Sequence, residues 1–380
     1  MSATTAPSES ASHELPTPVR SVLVVGFIYL FLVGVSSLET GIKIMGADTQ
    51  ERLFSAVTNP VAGLCVGVLG TVLVQSSSAS TSVIVGLVAS GAISVDQAVP
   101  MVMGANIGTT VTNTLVSLGH VRQSAEFKRA FAAATVHDFF NVLAVATLLP
   151  LELLTGIVST TAQRISETLV GSSGSEWKSP VKAWVKWPVQ AIEGVWENVA
   201  SGNLLGTLMV ISGLLIVLAS LTLITKNMRT LVADRVERSM NAVLSKGGGV
   251  IALVLGLSIT IAVQSSSITT SILIPLTAAG VLSLRNAYPV TLGANVGTTI
   301  TALLAALAAS SPDSLTVALA HTTFNVLGIL FLYVLPFARD VPIRLAEGLA
   351  TIAVQRRSLA FGYVLVSFIV LPLIGVVLLR

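Results

Sequence analysis

The sequence predicts an all-helical polytopic membrane protein made of two inverted repeats. Three observations carry that prediction. The 380 residues are 53% hydrophobic and only 10% charged, with a mean hydropathy of +0.86, far from a soluble average. Gln75-Ser76-Ser77-Ser78 returns 189 residues later as Gln264-Ser265-Ser266-Ser267. Gly104-Ala105-Asn106-Ile107-Gly108-Thr109-Thr110 returns at the same offset as Gly293-Ala294-Asn295-Val296-Gly297-Thr298-Thr299. Polar side chains inside a bilayer are costly, so a duplicated polar set points to two halves building one site.

In chain order, residues 1–19 form a Ser/Thr/Ala/Pro-rich tail, expected to be disordered. The first apolar run, 22–45, lacks a cleavage-site pattern and reads as a retained span. Segment 61–92 has polar Gln75 to Ser82 at its middle. Each flanking arm is too short to cross a core that needs about 20 residues, so the segment reads as a re-entrant helical hairpin or a broken helix. A span is expected at 100–118 and another at 131–149, the latter enclosing His137, Asp138 and Asn141. Residues 151–202, with four tryptophans and mixed charge, read as an interfacial linker.

The second half repeats this order. A span at 204–225 echoes the first, with Ser220-Leu221 and Lys226 matching Ser37-Leu38 and Lys43. A second hairpin is expected at 250–283 and further spans at 289–309 and 315–335, where His321 and Asn325 match His137 and Asn141. Asp138 has Thr322 as its counterpart. An arginine-bearing amphipathic stretch and a last span, 359–379, end the chain. The domains so read are the tail 1–19, repeat 1 at 20–150, the linker 151–202, repeat 2 at 203–337, and a closing unit 338–380.

This gives seven crossings and two hairpins. With the N-terminus inside, fourteen of the 21 Lys and Arg lie in inner segments. Three crossings per half invert the second repeat, so the hairpins enter from opposite faces, the architecture of secondary transporters. The lone Cys65 permits no intrachain disulfide, and nothing suggests nucleic-acid binding.

A broken helix presents free backbone N–H groups and a partial positive charge that bind anions. Serine hydroxyls add donors, so Gln75, Ser76, Ser77, Ser78, Gln264, Ser265, Ser266 and Ser267 are the candidate substrate ligands, suited to a tetrahedral oxyanion. Hydroxyl and amide oxygens also suit a hard cation. Asp138, Asn106, Thr109, Thr110, Asn295, Thr298 and Thr299 are the candidate Na⁺ ligands. Few basic groups lie in the spans, which favours a co-bound cation as counter-charge. The plain alternative for any single Ser or Thr is a bond to its own helix carbonyl or to a neighbouring helix; packing alone does not require two matched blocks. Asp138, a carboxylate deep in a span, pairs with His137, is protonated, or faces a cation; the last fits the adjacent motif. His137 and His321 read as structural hydrogen-bonders. A serine nucleophile needs a base within reach, and no Gly-x-Ser-x-Gly surrounds these serines, so an enzyme is not expected.

These motifs, together with Phe127-Lys128-Arg129-Ala130-Phe131, Ala134 to Asn141 and the run 287–306, resemble the type II sodium-dependent phosphate cotransporters, the NaPi-II proteins of animals and their bacterial relatives. The resemblance covers about 20–380. It implies Na⁺-coupled uptake of inorganic phosphate across the cell (inner, plasma) membrane, with no cofactor beyond the coupling ion. It also implies electrogenic transport, because Asp138 matches the aspartate that marks electrogenic members. Other oxyanions, arsenate or sulfate, fit the same donors. The linker is shorter than the glycosylated loop of animal members and lacks a sequon. Their termini are both cytoplasmic, whereas seven crossings place this C-terminus outside. Oligomeric state is not readable.

Overall fold

The computed structural model describes residues 15–46, 48–50, 57–170, 181–246, 249–309 and 311–379, with backbone alone over 233–246. Most of the N-terminal tail, the glycine-serine stretch 171–175 and Trp177 therefore lie outside the described residues. The described chain is helical, with no strand. The first half holds α1 (Thr17–Met45), α2 (Pro60–Val74), α3 (Ser77–Ser90), α4 (Val95–Thr109), α5 (Val111–Ser117) and α6 (Ser124–Thr155). Between the halves lie α7 (Ile157–Val170) and α8 (Lys182–Glu197). The second half holds α9 (Gly202–Lys246), α10 (Val250–Val263), α11 (Ser266–Ser271), α12 (Leu273–Ala278), α13 (Leu284–Ala308) and α14 (Pro312–Ile329). The chain closes with α15 (Val341–Gln355), α16 (Arg357–Leu365) and α17 (Leu371–Leu379).

Six helices among the described residues are long and apolar enough to cross a membrane: Thr17–Met45, Ser124–Thr155, Gly202–Val232, Leu284–Ala308, Pro312–Val334 and Arg357–Leu379. The span expected at 100–118 differs. It is two helices laid end to end across Thr110, whose N–H and hydroxyl both turn back to the Ile107 carbonyl at 3.2 and 2.8 Å. Its counterpart α13 is unbroken.

Local sequence sets the breaks, and it does so twice. Gln75 ends α2 in the left-handed region (φ 55, ψ 26), and Gln264 ends α10 likewise (φ 58, ψ 28). No other described non-glycine residue has a positive φ. Non-glycine residues seldom adopt that conformation. Ser76 and Ser265 then turn extended, and each hydroxyl caps the next helix by accepting from the N–H three residues on, at Ala79 (3.2 Å) and Ile268 (3.4 Å). Ser94 and Ser283 cap α4 and α13. Every one of these positions recurs at the offset of 189.

Close backbone contact fixes how the helices lie. Gly67 meets the Met101 carbonyl and Gly104 meets the Leu64 carbonyl; a Cβ at either would overlap that oxygen. From Gly63 beside Gln97, through Gly67 on Met101, to Thr71 beside Gly108, the contacts rise together along both helices, so α2 and α4 run parallel. Gly256 on Val290 and Gly293 on Leu253 repeat the arrangement for α10 and α13. The pair α1 and α9 runs the other way, because Gly34 meets Val217 while Gly41 meets Gly206. A Cβ on Gly41 would stand 2.7 Å from the Gly206 oxygen, and one on Gly206 2.7 Å from that of Gly41. Small residues let backbones approach where lipid supplies no hydrophobic drive. A central cluster including Phe31, Met103, Phe140, Tyr288 and Phe324 fills the space between the halves.

The linker is two amphipathic helices. The α7 face Val158, Ala162 and Ser166 is buried, and Glu152 closes its start by accepting from Val158 N–H at 2.6 Å. On α8, Val185 and Val189 face in while Trp184 and Trp187 stand exposed, as suits a membrane-interface helix.

Gly41→Leu should force α1 from α9 and cost about 1–3 kcal/mol of stability, the usual range for overpacking. Gly26→Leu on the same helix, with nothing within 4 Å of its added Cβ, should be neutral. Thermal unfolding of the purified protein in detergent checks the pair.

Candidate functional site: a cavity between two broken helices

The two helix breaks meet. All eight residues of the repeated Gln-Ser-Ser-Ser blocks line one cavity of about 250 Å³. Its remaining walls are Val74 and the α9 face Leu218, Leu221, Thr222 and Thr225. That volume suits a small ion with a few waters better than a drug-sized molecule, whose sites run from about 300 Å³ upward. A larger cleft of about 890 Å³, lined among others by Lys128, Arg129, Arg344 and Glu347, is wide open and holds none of the repeated motif. Chemistry therefore favours the smaller cavity.

Each break is held by its own glutamine. The Gln75 amide nitrogen donates to the Val72 carbonyl (2.6 Å), and its oxygen accepts from Thr112 (3.1 Å). Gln264 does the same with Ile261 (2.7 Å) and Thr301 (2.9 Å). One side chain thus ties up a helix-end carbonyl and anchors the tip to the neighbouring helix. The first N–H groups beyond, at Ser77, Ser78, Ser266 and Ser267, have no intrahelical acceptor by geometry. With the serine hydroxyls they form two facing sets of donors. Among the described residues no Lys, Arg or His lines the cavity.

The candidate Na⁺ ligands are placed elsewhere. Asn106 and Asn295 form a cross-brace between the halves: His137 Nε2 lies 2.5 Å from Asn295 Oδ1, and His321 Nε2 lies 3.2 Å from Asn106 Oδ1. The histidine of each half meets the asparagine of the other. Asn141 joins both, donating to the Asn106 carbonyl and accepting from Asn295, each at 2.8 Å. Thr109, Thr110, Thr298 and Thr299 donate to carbonyls of their own helices at 2.8–3.1 Å, which leaves their oxygens able to accept.

Asp138 is buried at 1% exposure, and its Oδ2 accepts from Thr114 (3.2 Å) and Tyr363 (3.0 Å). Its Oδ1 has no partner among the described residues. It does not pair with His137, whose ring faces α13. Asp138 lines a separate, mainly apolar cavity of about 320 Å³ beside Cys65 and Tyr363. The structure thus gathers the eight tip residues and keeps Asp138 and the Asn-Thr set apart from them. Sequence reasoning missed Thr222 and Thr225, Thr114 and Tyr363, and Asn113, which donates to Thr270 at 2.6 Å and accepts from Ser271 at 3.1 Å. The echo of α1 in α9 was the one signal for Thr222 and Thr225.

His137→Ala should destabilise the fold by about 1–3 kcal/mol, because a buried asparagine oxygen loses its partner. A fall in the thermal midpoint in detergent, smaller for His137→Gln, is the expected result.

A family model described as Na⁺/Pi-cotransporter matches residues 30–172 and 216–368, so that each match contains one broken helix and one Gly-Ala-Asn motif. The chain is 34% identical to the human sodium-dependent phosphate transport protein 2B over 445 residues, covering 93% of this chain and 64% of that protein. It is 36% identical to the rat sodium-dependent phosphate transport protein 2A over 421 residues, covering 92% of this chain and 66% of the relative. It thus spans less than two thirds of the length of these relatives. No solved structure matches the chain. With both broken helices inside the matched segments, the chain belongs to the Na⁺/Pi-cotransporter family.

Proposed function

We propose that the protein is a secondary active transporter that takes up inorganic phosphate together with Na⁺ across the cell membrane by alternating access. The single observation that carries this reading is the cavity. Two copies of Gln-Ser-Ser-Ser, 189 residues apart in sequence, line one small chamber with hydroxyls and no cationic side chain. Such a chamber can surround a tetrahedral oxyanion with donors while leaving its charge to be balanced by a co-transported cation. A side chain with a fixed positive charge would balance the anion without a co-transported cation. The relatives are named as sodium-dependent phosphate transport proteins, which supports phosphate over arsenate or sulfate.

The topology follows from helix direction. The turn from α3 to α4 is only residues 91–94. With α2 and α4 parallel, α3 runs back, which supports reading α2 and α3 as one re-entrant hairpin and α10 to α12 as the second. Taking α4–α5 as one interrupted crossing gives three crossings before the linker, and the second half is inverted. The antiparallel packing of α1 on α9 supports this, because the two are counterparts. In this frame repeat 1 is 20–150, repeat 2 is 203–337, and the linker 151–202 lies outside the membrane on the face away from the basic segments.

Asp138, with Thr110 and Thr114 beside it, is proposed as a Na⁺ ligand through its unpartnered oxygen. Asn106, Thr109, Asn295, Thr298 and Thr299 supply further oxygens nearby or brace the hairpins. One further Na⁺ bound there adds a positive charge to what each cycle carries, which makes the transport electrogenic.

Uptake of labelled phosphate into proteoliposomes, with and without a Na⁺ gradient, tests the reading. Uptake that ignores Na⁺, or that arsenate and sulfate suppress as well as phosphate does, would contradict it. Ser76→Ala and Ser265→Ala should each weaken phosphate affinity by about 1.5–3 kcal/mol, the worth of a hydrogen bond to a charged ligand, with membrane insertion intact. Asp138→Gly should flatten the voltage dependence of uptake, measured under imposed K⁺/valinomycin potentials, since each charge crossing the membrane is worth about 2.3 kcal/mol per 100 mV. Lower Na⁺ cooperativity should accompany that loss.

A further inference from the structure

The cavity is one-sided although the repeats around it are matched. Both tips contribute equally, yet its helical wall comes from α9 alone. Aligning Ser37-Leu38 with Ser220-Leu221, and Lys43 with Lys226, pairs Val35, Leu38, Glu39 and Ile42 of α1 with Leu218, Leu221, Thr222 and Thr225 of α9. Packing supports that alignment independently. Gly34 sits against Val217, its own counterpart, as it must where two antiparallel helices cross at a local twofold axis. The α9 set lines the cavity. The α1 set is shut, at 1%, 2%, 5% and 4% exposure, with Leu38 against Gly86 of α3.

Two like repeats in unlike arrangements are what one end of an alternating-access cycle looks like. Exchanging the two arrangements generates the other end. There the α1 face lines the chamber and the α9 face is shut. Glu39 then stands where Thr222 stands now. At present Glu39 is ion-paired one turn along α1 with Lys43 at 2.5 Å.

We infer that Glu39 is a further cation ligand, entering the chamber only in the opposite-facing state. This rests on the transporter reading above and adds sidedness to it. Glu39 lies toward the C-terminal, outer end of α1. The chamber that opens outward therefore holds a carboxylate that attracts Na⁺, and the chamber that opens inward holds a threonine that lets it go. The difference in affinity between the two states is drawn from the free energy of interconverting them. Lys43 is the resting partner that Na⁺ displaces.

The test has two arms. In a Cys65→Ser background, Leu38→Cys and Leu221→Cys are exposed to an impermeant maleimide from each side, in right-side-out and inside-out vesicles. Leu38→Cys should react from the outer side, Leu221→Cys from the inner side, and a change in Na⁺ or phosphate that raises one should lower the other. A Leu38→Cys that never reacts, while Leu221→Cys does, overturns the inference. In the second arm, Glu39→Gln should raise the external Na⁺ needed for half-maximal uptake of labelled phosphate by about tenfold, as loss of one charged ligand does. The internal Na⁺ dependence of efflux should stay unchanged, and Glu39→Asp should restore much of the external affinity. Equal shifts on both sides, or none, overturn the assignment. A Glu39→Gln protein that fails to fold leaves the labelling arm to decide. If the unaltered protein shows no Na⁺-dependent phosphate uptake, the transport reading fails, and the labelling still reports whether the α1 face opens.

Discussion

A helix interrupted inside a membrane must satisfy its own broken ends, and this requirement organises the molecule. Water is absent at that depth, so each stray carbonyl or N–H costs several kcal/mol unless it finds a partner. Gln75 and Gln264 answer part of the problem. Each adopts a left-handed backbone to stop its helix, then turns its amide back on a carbonyl of the last turn. Ser76 and Ser265 answer another part by capping the next helix. The first N–H groups and two serine hydroxyls of each tip remain, and both tips line the chamber. On the proposed reading that unmet demand of the backbone becomes anion affinity. The glycine contacts of α2 on α4 and of α10 on α13 hold each tip at its depth, and the two His–Asn bonds tie the halves together behind them.

That logic explains what could be read from the residues alone. A break needs a particular short string, and a string repeated at one offset is visible without structure. Gln75 and Gln264, Gly91 and Gly280, Ser94 and Ser283 all keep the offset of 189 and all have the same local role in both halves. The hidden parts are those that depend on distant chain segments. Thr222 and Thr225 sit in an apolar run, and their counterparts are Glu39 and Ile42, so residue identity gives no hint of a shared wall. Tyr363 reaches Asp138 across 225 residues, on a helix that packs only lightly against the rest. Pairing with His137 was one of three readings open to Asp138. A helix turns about 100° per residue, so the two side chains leave in different directions, and His137 finds α13 instead. The break at Thr110 was hidden for another reason. Its match, Thr299, makes the same side-chain bond inside an unbroken helix, so the string alone does not decide it.

Charge explains why the chamber and the carboxylate stand apart. A carboxylate beside the serine tips would repel an oxyanion, and a lysine or arginine there would bind it without need of Na⁺. The chamber has neither. Asp138 is instead held by hydroxyls from α5 and α16, with one oxygen left over. On the proposed reading, substrate and coupling ion influence one another through the shared helices α4 to α6 rather than by direct contact. Asn141 is placed for such a role. It lies one turn from Asp138 and bonds both motif asparagines.

Duplication by itself gives a site with no preferred direction, since a symmetric pair of repeats opens alike on both sides. Direction has to come from positions where the copies differ. Several of those positions carry charge in one copy only. Asp138 has Thr322 for a counterpart, and Glu39 has Thr222. Lys128 and Arg129 match Pro312 and Asp313 under the alignment that pairs the two histidines. Each replacement sets a charged group in one half against a neutral or opposite one in the other. The tips, the caps and the glycine seams of α2 on α4 and of α10 on α13 are kept alike. On the proposed reading the same duplicated scaffold separates two tasks: shared residues build the chamber, and unshared charges make its two openings unequal toward a cation.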